Sequence, residues 1–398
     1  MSAECRDAVV ATRRDLHRHP ELGYRETRTA GLVAARLRAL GFDEVTAGVG
    51  GTGVIGLLKG GVQGGGVVAV RADMDALPIQ DAIDRPYRST VPNVKHACGH
   101  DAHTAIALGA AEVLSRLRAE LPGSVKFLFQ PAEEGDPDLG SGGATRLVEA
   151  GALRDPAPSA IFGLHVLPAI PAGQIGVHRG PAMASESGFT ITIRGRQTHG
   201  AYPHTGLDPV PIAAQVILAL QTIPSRLVDA QQPTVVSVGI VAGGSRPNIV
   251  ADSVRLIGTV RSLARDGQAT VREKMHAIVG GIAGGYGATC EFEHDAHPTP
   301  VTFNDAVLHD RSRPVLERVA GASNVVTPAI QMGAEDFACY QQEIPGVFFF
   351  LGVRNEAKGA ASMLHTETFD LDEDALPLGV RALATLAADY LIRTKQEA

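Results

Sequence analysis

Residues 96–103 read HACGHDAH, three histidines, a cysteine and an aspartate within eight positions. Imidazole nitrogen, thiolate sulfur and carboxylate oxygen are the donors that hold zinc and related divalent ions. The same cluster admits two other readings: a cysteine nucleophile with a histidine base, or a surface loop that is merely rich in histidine. Further along, Asp73 and Asp75 close one apolar run, and Glu133 and Glu134 follow another. His165 ends a third run, and His365 lies in a loop after a fourth. Together these favour the metal site, because a Cys98 nucleophile leaves Glu133, Glu134 and His365 without work. A soft thiolate among imidazoles selects a transition metal over Mg2+ or Ca2+. Four or five such donors can hold two ions with one donor shared. Of two adjacent carboxylates, one can bind metal while its neighbour takes a proton from water.

Such side chains need a rigid frame. The segment at about 5–40 has helical spacing through Leu16, Leu32, Val33, Leu37 and Leu40. VIGLLKG (54–60), VVAVRADMD (67–75), VKFLFQ (125–130), AIFGLHV (160–166) and VFFFLG (347–352) read as apolar strands. HDAHTAIALGAAEVLSRLRAEL (100–121) and a segment near 372–394 read as helices. Strands alternating with helices predict an α/β open sheet, and ligands of such sheets bind outside the carboxyl ends of the strands. The polar residues named above sit at those ends.

From about residue 182 the pattern changes. GFTITIRG (188–195) alternates with period two, and DPVPIAAQVILALQTI (208–223) is a helix with proline in its first turn. TVVSVGIVAGG (234–244) and VADSVRLIGTVRS (250–262) are strands, GQATVREKMHAIVGGIA (267–283) a helix and ATCEFEHD (288–295) a strand. That order predicts an α+β ferredoxin-like domain over 182–295. It is inserted into a discontinuous outer domain of 1–181 and 296–398.

The chain of 398 residues exceeds what one hydrophobic core usually serves, which also favours two domains. A net charge of -7 argues against nucleic-acid binding. No apolar run is read as long enough to span a bilayer, and the N-terminus carries no signal-peptide pattern. Cys5, Cys98, Cys290 and Cys339 are too scattered for a disulfide framework, so a cytoplasmic protein with reduced thiols is expected.

The segments RRDLHRHPELGYRE (13–26), RADMDALP (71–78), HACGHDAHT (96–104), FQPAEEG (129–135), GLHV (163–166), THGAYPHTGLDPV (198–210), MGAEDF (332–337), FFFLG (348–352) and LHTETFD (364–370) follow one another along the chain. This sequence resembles the amidohydrolase branch of the aminoacylase/carboxypeptidase metallopeptidase family. That branch holds hippurate hydrolases, auxin-conjugate hydrolases and N-acyl-amino-acid deacetylases. The resemblance implies a two-metal catalytic domain whose inserted domain is a dimerisation or lid domain. It implies metal ligation by Cys98, His100, Glu134, His165 and His365, with Glu133 as general base and Asp73 supporting the site. Arg71 stands where other branches have a metal-binding histidine. His199 matches a residue that reaches the partner subunit's site and polarises the substrate carbonyl, with His204 a competitor for that part. Asn248 and Arg261 match residues that hold the substrate carboxylate.

The implied cofactors are two divalent ions per subunit, from Mn2+, Zn2+, Co2+ and Ni2+. The implied reaction is hydrolysis of N-acyl-L-amino acids by a homodimer or larger homo-oligomer. A metallo-exopeptidase or dipeptidase, a thiol hydrolase and a non-catalytic binding protein are the alternatives. Asp101 and His103 could cap the long helix or orient His100, and Glu335 and Asp336 receive no role.

Overall fold

Strands that are apolar on both faces must be covered on both faces, and five of the expected strands are of that kind. Gly346–Arg354, for example, is buried at every position but its last. The computed structural model describes residues 3–135 and 142–397; the remaining positions of the expected outer domain lie outside the described residues. It divides into two units. One holds 1–182, 303–330 and 336–398, and the other 183–302 and 331–335.

In the first unit eight strands form one sheet. Their order is Glu44–Val49, Gly53–Lys59, Pro122–Gln130, Val62–Asp73, Ala160–Pro171, Gly346–Arg354, Ile175–Val177 and Val325–Val326. Val62–Asp73 runs parallel to both of its neighbours, and Gly346–Arg354 runs parallel to Ala160–Pro171. From Val62–Asp73 the chain crosses through helix His100–Arg116 to Pro122–Gln130 on one side. It then returns to Ala160–Pro171 on the other side. The crevice beyond the carboxyl ends of Val62–Asp73 and Ala160–Pro171 is therefore the topological switch point, where such sheets bind ligands.

Helices His100–Arg116 and Leu376–Glu397 pack against Val62–Asp73. The terminal helix is long and apolar enough to cross a membrane by length and composition, contrary to the sequence reading. Its Leu376, Val380, Leu383, Leu386 and Leu391 are buried in the core of this unit, which accounts for that apolarity.

The continuous helical spacing at 5–40 also needs correcting. Two helices form, Ala3–Arg18 and Thr27–Ala39. Pro20 lacks an N–H, and Tyr24 takes a left-handed φ of +58°. Both interrupt the spiral, whatever the apolar spacing on either side.

The second unit is a four-stranded antiparallel sheet with order Thr234–Gly243, Ser253–Ser262, Ser185–Arg194, Thr289–His294. Numbered along the chain this is 2-3-1-4, the ferredoxin-like arrangement. Helices Pro209–Leu220 and Gly267–Gly285 supply its core with Ile212, Val216, Val271, Met275 and Val279, against Phe189, Ile191, Val254 and Leu256. Residues 296–302 and 331–335 group with this unit rather than the outer one. Backbone bonds draw them there: Glu186 N to Thr299 O, and Ala184 N to Gln331 O and Gly333 O.

Candidate metal centre

Register sets the floor of the site. Asp73 pairs with Gln130 across one strand pair, and Arg71 pairs with Gly163 across the other. Asp73, the end of Pro122–Gln130 and His165 thus reach the same edge. Cys98 and His100 arrive there through one glycine. Gly99 has φ +87°, and a Cβ on it would lie 2.3 Å from Val166 Cγ2. Only glycine lets the start of the long helix approach the strand that carries His165. Glu133 and Glu134 follow directly after Pro122–Gln130, and His365 lies in the loop after Gly346–Arg354 with φ +60°. A left-handed histidine is uncommon, and such strain concentrates at functional sites.

The side chains converge. Cys98 Sγ is 3.3 Å from His165 Nε2 and 3.2 Å from His365 Nε2. Glu134 Oε1 lies 3.0 Å from His365 Nε2, and His100 Nε2 lies 3.9 Å from Glu133 Oε2. Three overlapping triads have donor atoms within 4.8 Å of one another: Cys98 with His100 and His165, Cys98 with Glu134 and His365, and His100 with Glu133 and Glu134. His100 Nε2 is buried without a hydrogen-bond partner, and buried Glu134 Oε1 is met by the His365 imidazole at 3.0 Å without a well-aligned hydrogen bond. Unsatisfied polar atoms are costly in an interior, and a cation among them would satisfy both. Donors on one tetrahedral ion sit roughly 3.3–3.6 Å apart, given metal–donor bonds of about 2.0–2.3 Å. The observed spacing fits that, so the residues present fit a metal.

The imidazoles are oriented from behind. His100 Nδ1 lies 3.0 Å from Asp75 Oδ1, while Asp75 Oδ2 accepts from Glu134 N at 3.0 Å. His165 Nδ1 donates to its neighbour's carbonyl, Val166 O, at 2.6 Å. Each bond leaves Nε2 facing the cluster, the arrangement of metal-bound histidines. His103 differs. Its Nε2 accepts from Val166 N at 2.9 Å and its Nδ1 faces Asp73 Oδ1 at 2.6 Å, so both nitrogens are engaged. Asp73 also receives Arg71 Nη1 at 2.7 Å. It steadies His103 and Arg71, and Asp75 is the carboxylate on His100. Asp101 and His103 do not orient His100: the Asp101 carboxylate goes to Arg13, His17 and its own helix start.

Burial and the neighbouring carboxylates set the electrostatics of the cluster. Burial pushes the Cys98 thiol well above its usual range, and the Glu134 and Glu133 charges push it further. Burial, then His103, holds His165 well below the usual histidine value. A thiolate at Cys98 is therefore disfavoured by the surrounding carboxylates, and a bound cation is what would reverse that. His100 is lifted to about 10, since Asp73 and Asp75 outweigh its burial.

The other expected site residues lie in the second unit. His199 is exposed in the short strand Thr198–His199, paired with Ile249, and its Nδ1 accepts from Ala201 N at 3.0 Å. Asn248 is beside it, its carbonyl accepting from Gly200 N at 2.8 Å. Half-buried Arg261 donates to Met332 O at 3.3 Å. His204 is exposed in the turn Pro203–Thr205. The sequence reading gave no role to Asp336, and the structure supplies one. Asp336 accepts from Arg71 Nη2 and Gln130 Nε2, each at 2.8 Å, while its backbone N points at Glu133 Oε1 at 3.4 Å. Glu335 is buried, its carbonyl accepting from Thr302 Oγ1 at 3.2 Å.

An open α/β sheet with a sulfur, imidazole and carboxylate cluster at its switch point makes a candidate metal centre, and the relatives of this chain are metal-dependent hydrolases. The chain belongs to peptidase family M20/M25/M40, whose pattern matches residues 69–389. It is 40% identical to thermostable carboxypeptidase 2 of Saccharolobus solfataricus over 388 residues, 97% of this chain and 96% of that one. It is 39% identical to N-acetylcysteine deacetylase of Bacillus subtilis over 383 residues, 96% of this chain and 97% of that one. Among solved structures, the Bacillus subtilis YxeP protein, a dinuclear metal-binding peptidase, superposes with a TM-score of 0.86 at 37% identity. That match covers 98% of this chain and 99% of the other.

Proposed function

We propose that this hydrolase cleaves the amide bond of N-acyl-L-amino acids, releasing a carboxylic acid and a free amino acid. The observation that carries the reading is the convergence of Cys98, His100, Glu134, His165 and His365 beside Glu133. Those five would hold two divalent ions, drawn from Mn2+, Zn2+, Co2+ and Ni2+. The overlap of the triads and the dinuclear centre of the YxeP protein both support two. When bound, such ions polarise a carbonyl and lower the pKa of water toward about 7.

Glu133 takes the proton of the attacking water and returns it to the leaving amine, so it begins and ends ionised. Asp75 and the Val166 carbonyl keep Nε2 of His100 and His165 on the metal side, and Asp73 steadies His103 and Arg71 behind them. Arg261 pairs its guanidinium fork with the substrate's α-carboxylate, assisted by Asn248. His199 of the partner subunit donates to the substrate carbonyl oxygen as negative charge develops there.

The second unit acts as dimerisation or lid domain. Its edge strand Thr234–Gly243 exposes Val235, Ile240 and Val241, an apolar edge that pairing with a second copy would cover. Cys5, Cys98, Cys290 and Cys339 are widely scattered along the chain, which favours a reducing, cytoplasmic setting.

The carboxypeptidase relative favours a second reading, exopeptidase or dipeptidase action at the same site. Kinetics on acetyl-, benzoyl- and indoleacetyl-amino acids against dipeptides, with each metal restored in turn, decide between them. Higher kcat/KM on the acylated amino acids is expected. A consistent preference for dipeptides replaces this proposal with the second reading.

A further inference from the structure

The segment HPELGYRE (19–26) interrupts the first two helices and seats a buried carboxylate under the turn that carries Glu133. Glu26 Oε1 accepts from Ala132 N at 2.8 Å, and its other oxygen accepts from Thr52 Oγ1. Both Glu26 and Ala132 are fully buried. Ala132 holds a left-handed φ of +46° immediately before Glu133. A non-glycine residue keeps that conformation only where its surroundings over-determine it. Those surroundings are close: a Cβ on Gly23 would lie 2.8 Å from Gly135 O and 3.0 Å from Ala132 Cβ. The segment is itself anchored. The Glu21 carboxylate accepts from Arg28 N and Thr29 N at the start of helix Thr27–Ala39, and Glu21 O accepts from Ala76 N, next to Asp75.

We propose that Glu26 is a positioning residue: it holds the Ala132 amide, keeps that residue left-handed, and so aims the Glu133 carboxylate at the attacking water. Nothing else assigned to the reaction uses this glutamate. Burial, with Asp75 adding to it, raises its carboxyl to about 7. An acid kept in such a place at a cost in stability is typical of a functional position. The role rests on Glu133 being the general base, and the test separates the two.

Metal-loaded wild type, Glu26→Gln, Glu26→Leu and Glu133→Gln are compared in kcat, KM and metal content, with hydrogen–deuterium exchange of the peptide spanning 130–135. Gln keeps an acceptor for the Ala132 amide, whereas Leu fills the space without one. Glu26→Leu is expected to lose about 100-fold in kcat, the usual effect of misplacing a reacting group by about an ångström. Its KM and metal content should stay unchanged, and the 130–135 amides should exchange faster. Glu26→Gln is expected to recover kcat to within about fivefold of wild type. Full kcat in Glu26→Leu overturns the role. So does unprotected exchange at Ala132 in the wild type, which decides the matter even where Glu26→Leu does not fold. An active Glu133→Gln removes the base assignment, while inactive Glu133→Gln beside fully active Glu26→Leu removes only the role of Glu26.

Discussion

Asp75 sits 3.0 Å from His100 Nδ1, and its second oxygen accepts the backbone N–H of Glu134. One carboxylate thereby orients an imidazole at a helix start and a glutamate that follows a strand. Asp75→Asn should weaken metal binding about tenfold, the lower end of the range for partners behind metal-bound histidines. Competition against a chelating dye measures this. Unchanged affinity would separate Asp75 from the metal.

Glu133→Gln should retain both ions and lose about 100- to 10,000-fold in kcat, the span of general acid–base contributions. Metal analysis alongside steady-state kinetics checks it. Loss of metal in this variant would recast Glu133 as a ligand.

The stability of the chelator-treated protein should carry a pH signature of Glu26. An ordinary glutamate titrates near 4.5, and in the folded chain this one is raised to about 7. Below about 4.5 the group is neutral in both states and contributes nothing. Between there and about 7 the unfolded chain ionises first, so stability falls as pH rises, and the full cost is present above 7. The separation corresponds to about 3 kcal/mol. Glu26→Gln should therefore lose less stability than wild type between pH 5 and pH 8 in urea melts. Parallel losses would contradict the raised carboxyl.

His199→Ala should lower kcat while leaving metal content intact, and mixing it with Glu133→Gln should restore part of the activity if His199 serves the partner's site. Two inactive variants that stay inactive when mixed as co-refolded dimers would confine His199 to its own subunit.

The sequence made the donors legible because their chemistry is rare and they fall after apolar runs or at the mouth of the long helix. Cys98, His100, Glu134, His165 and His365 could be named with Glu133 before any geometry was known. What stayed hidden were partners chosen by folding. Asp73 and Asp75 look alike in RADMDALP, yet strand alternation sends Asp73 to His103 and Arg71, and the turn beyond sends Asp75 to His100. His103 has the composition of a ligand, but both of its nitrogens are engaged. Asp336, distant in sequence, meets Arg71 only because two segments close over the same sheet edge. The break between the first helices was signalled by Pro20 and Gly23, though apolar spacing on either side masked it.

The most direct test is a crystal of the chain grown with Mn2+ or Zn2+, read by anomalous scattering at the metal edge. Two peaks should appear, bounded by Cys98 Sγ, the Nε2 atoms of His100, His165 and His365, and the Glu134 carboxylate, with Glu133 beside them and unligated. A fully loaded, active crystal with its anomalous peaks elsewhere, or with Cys98 and His365 outside the coordination sphere, would contradict the account.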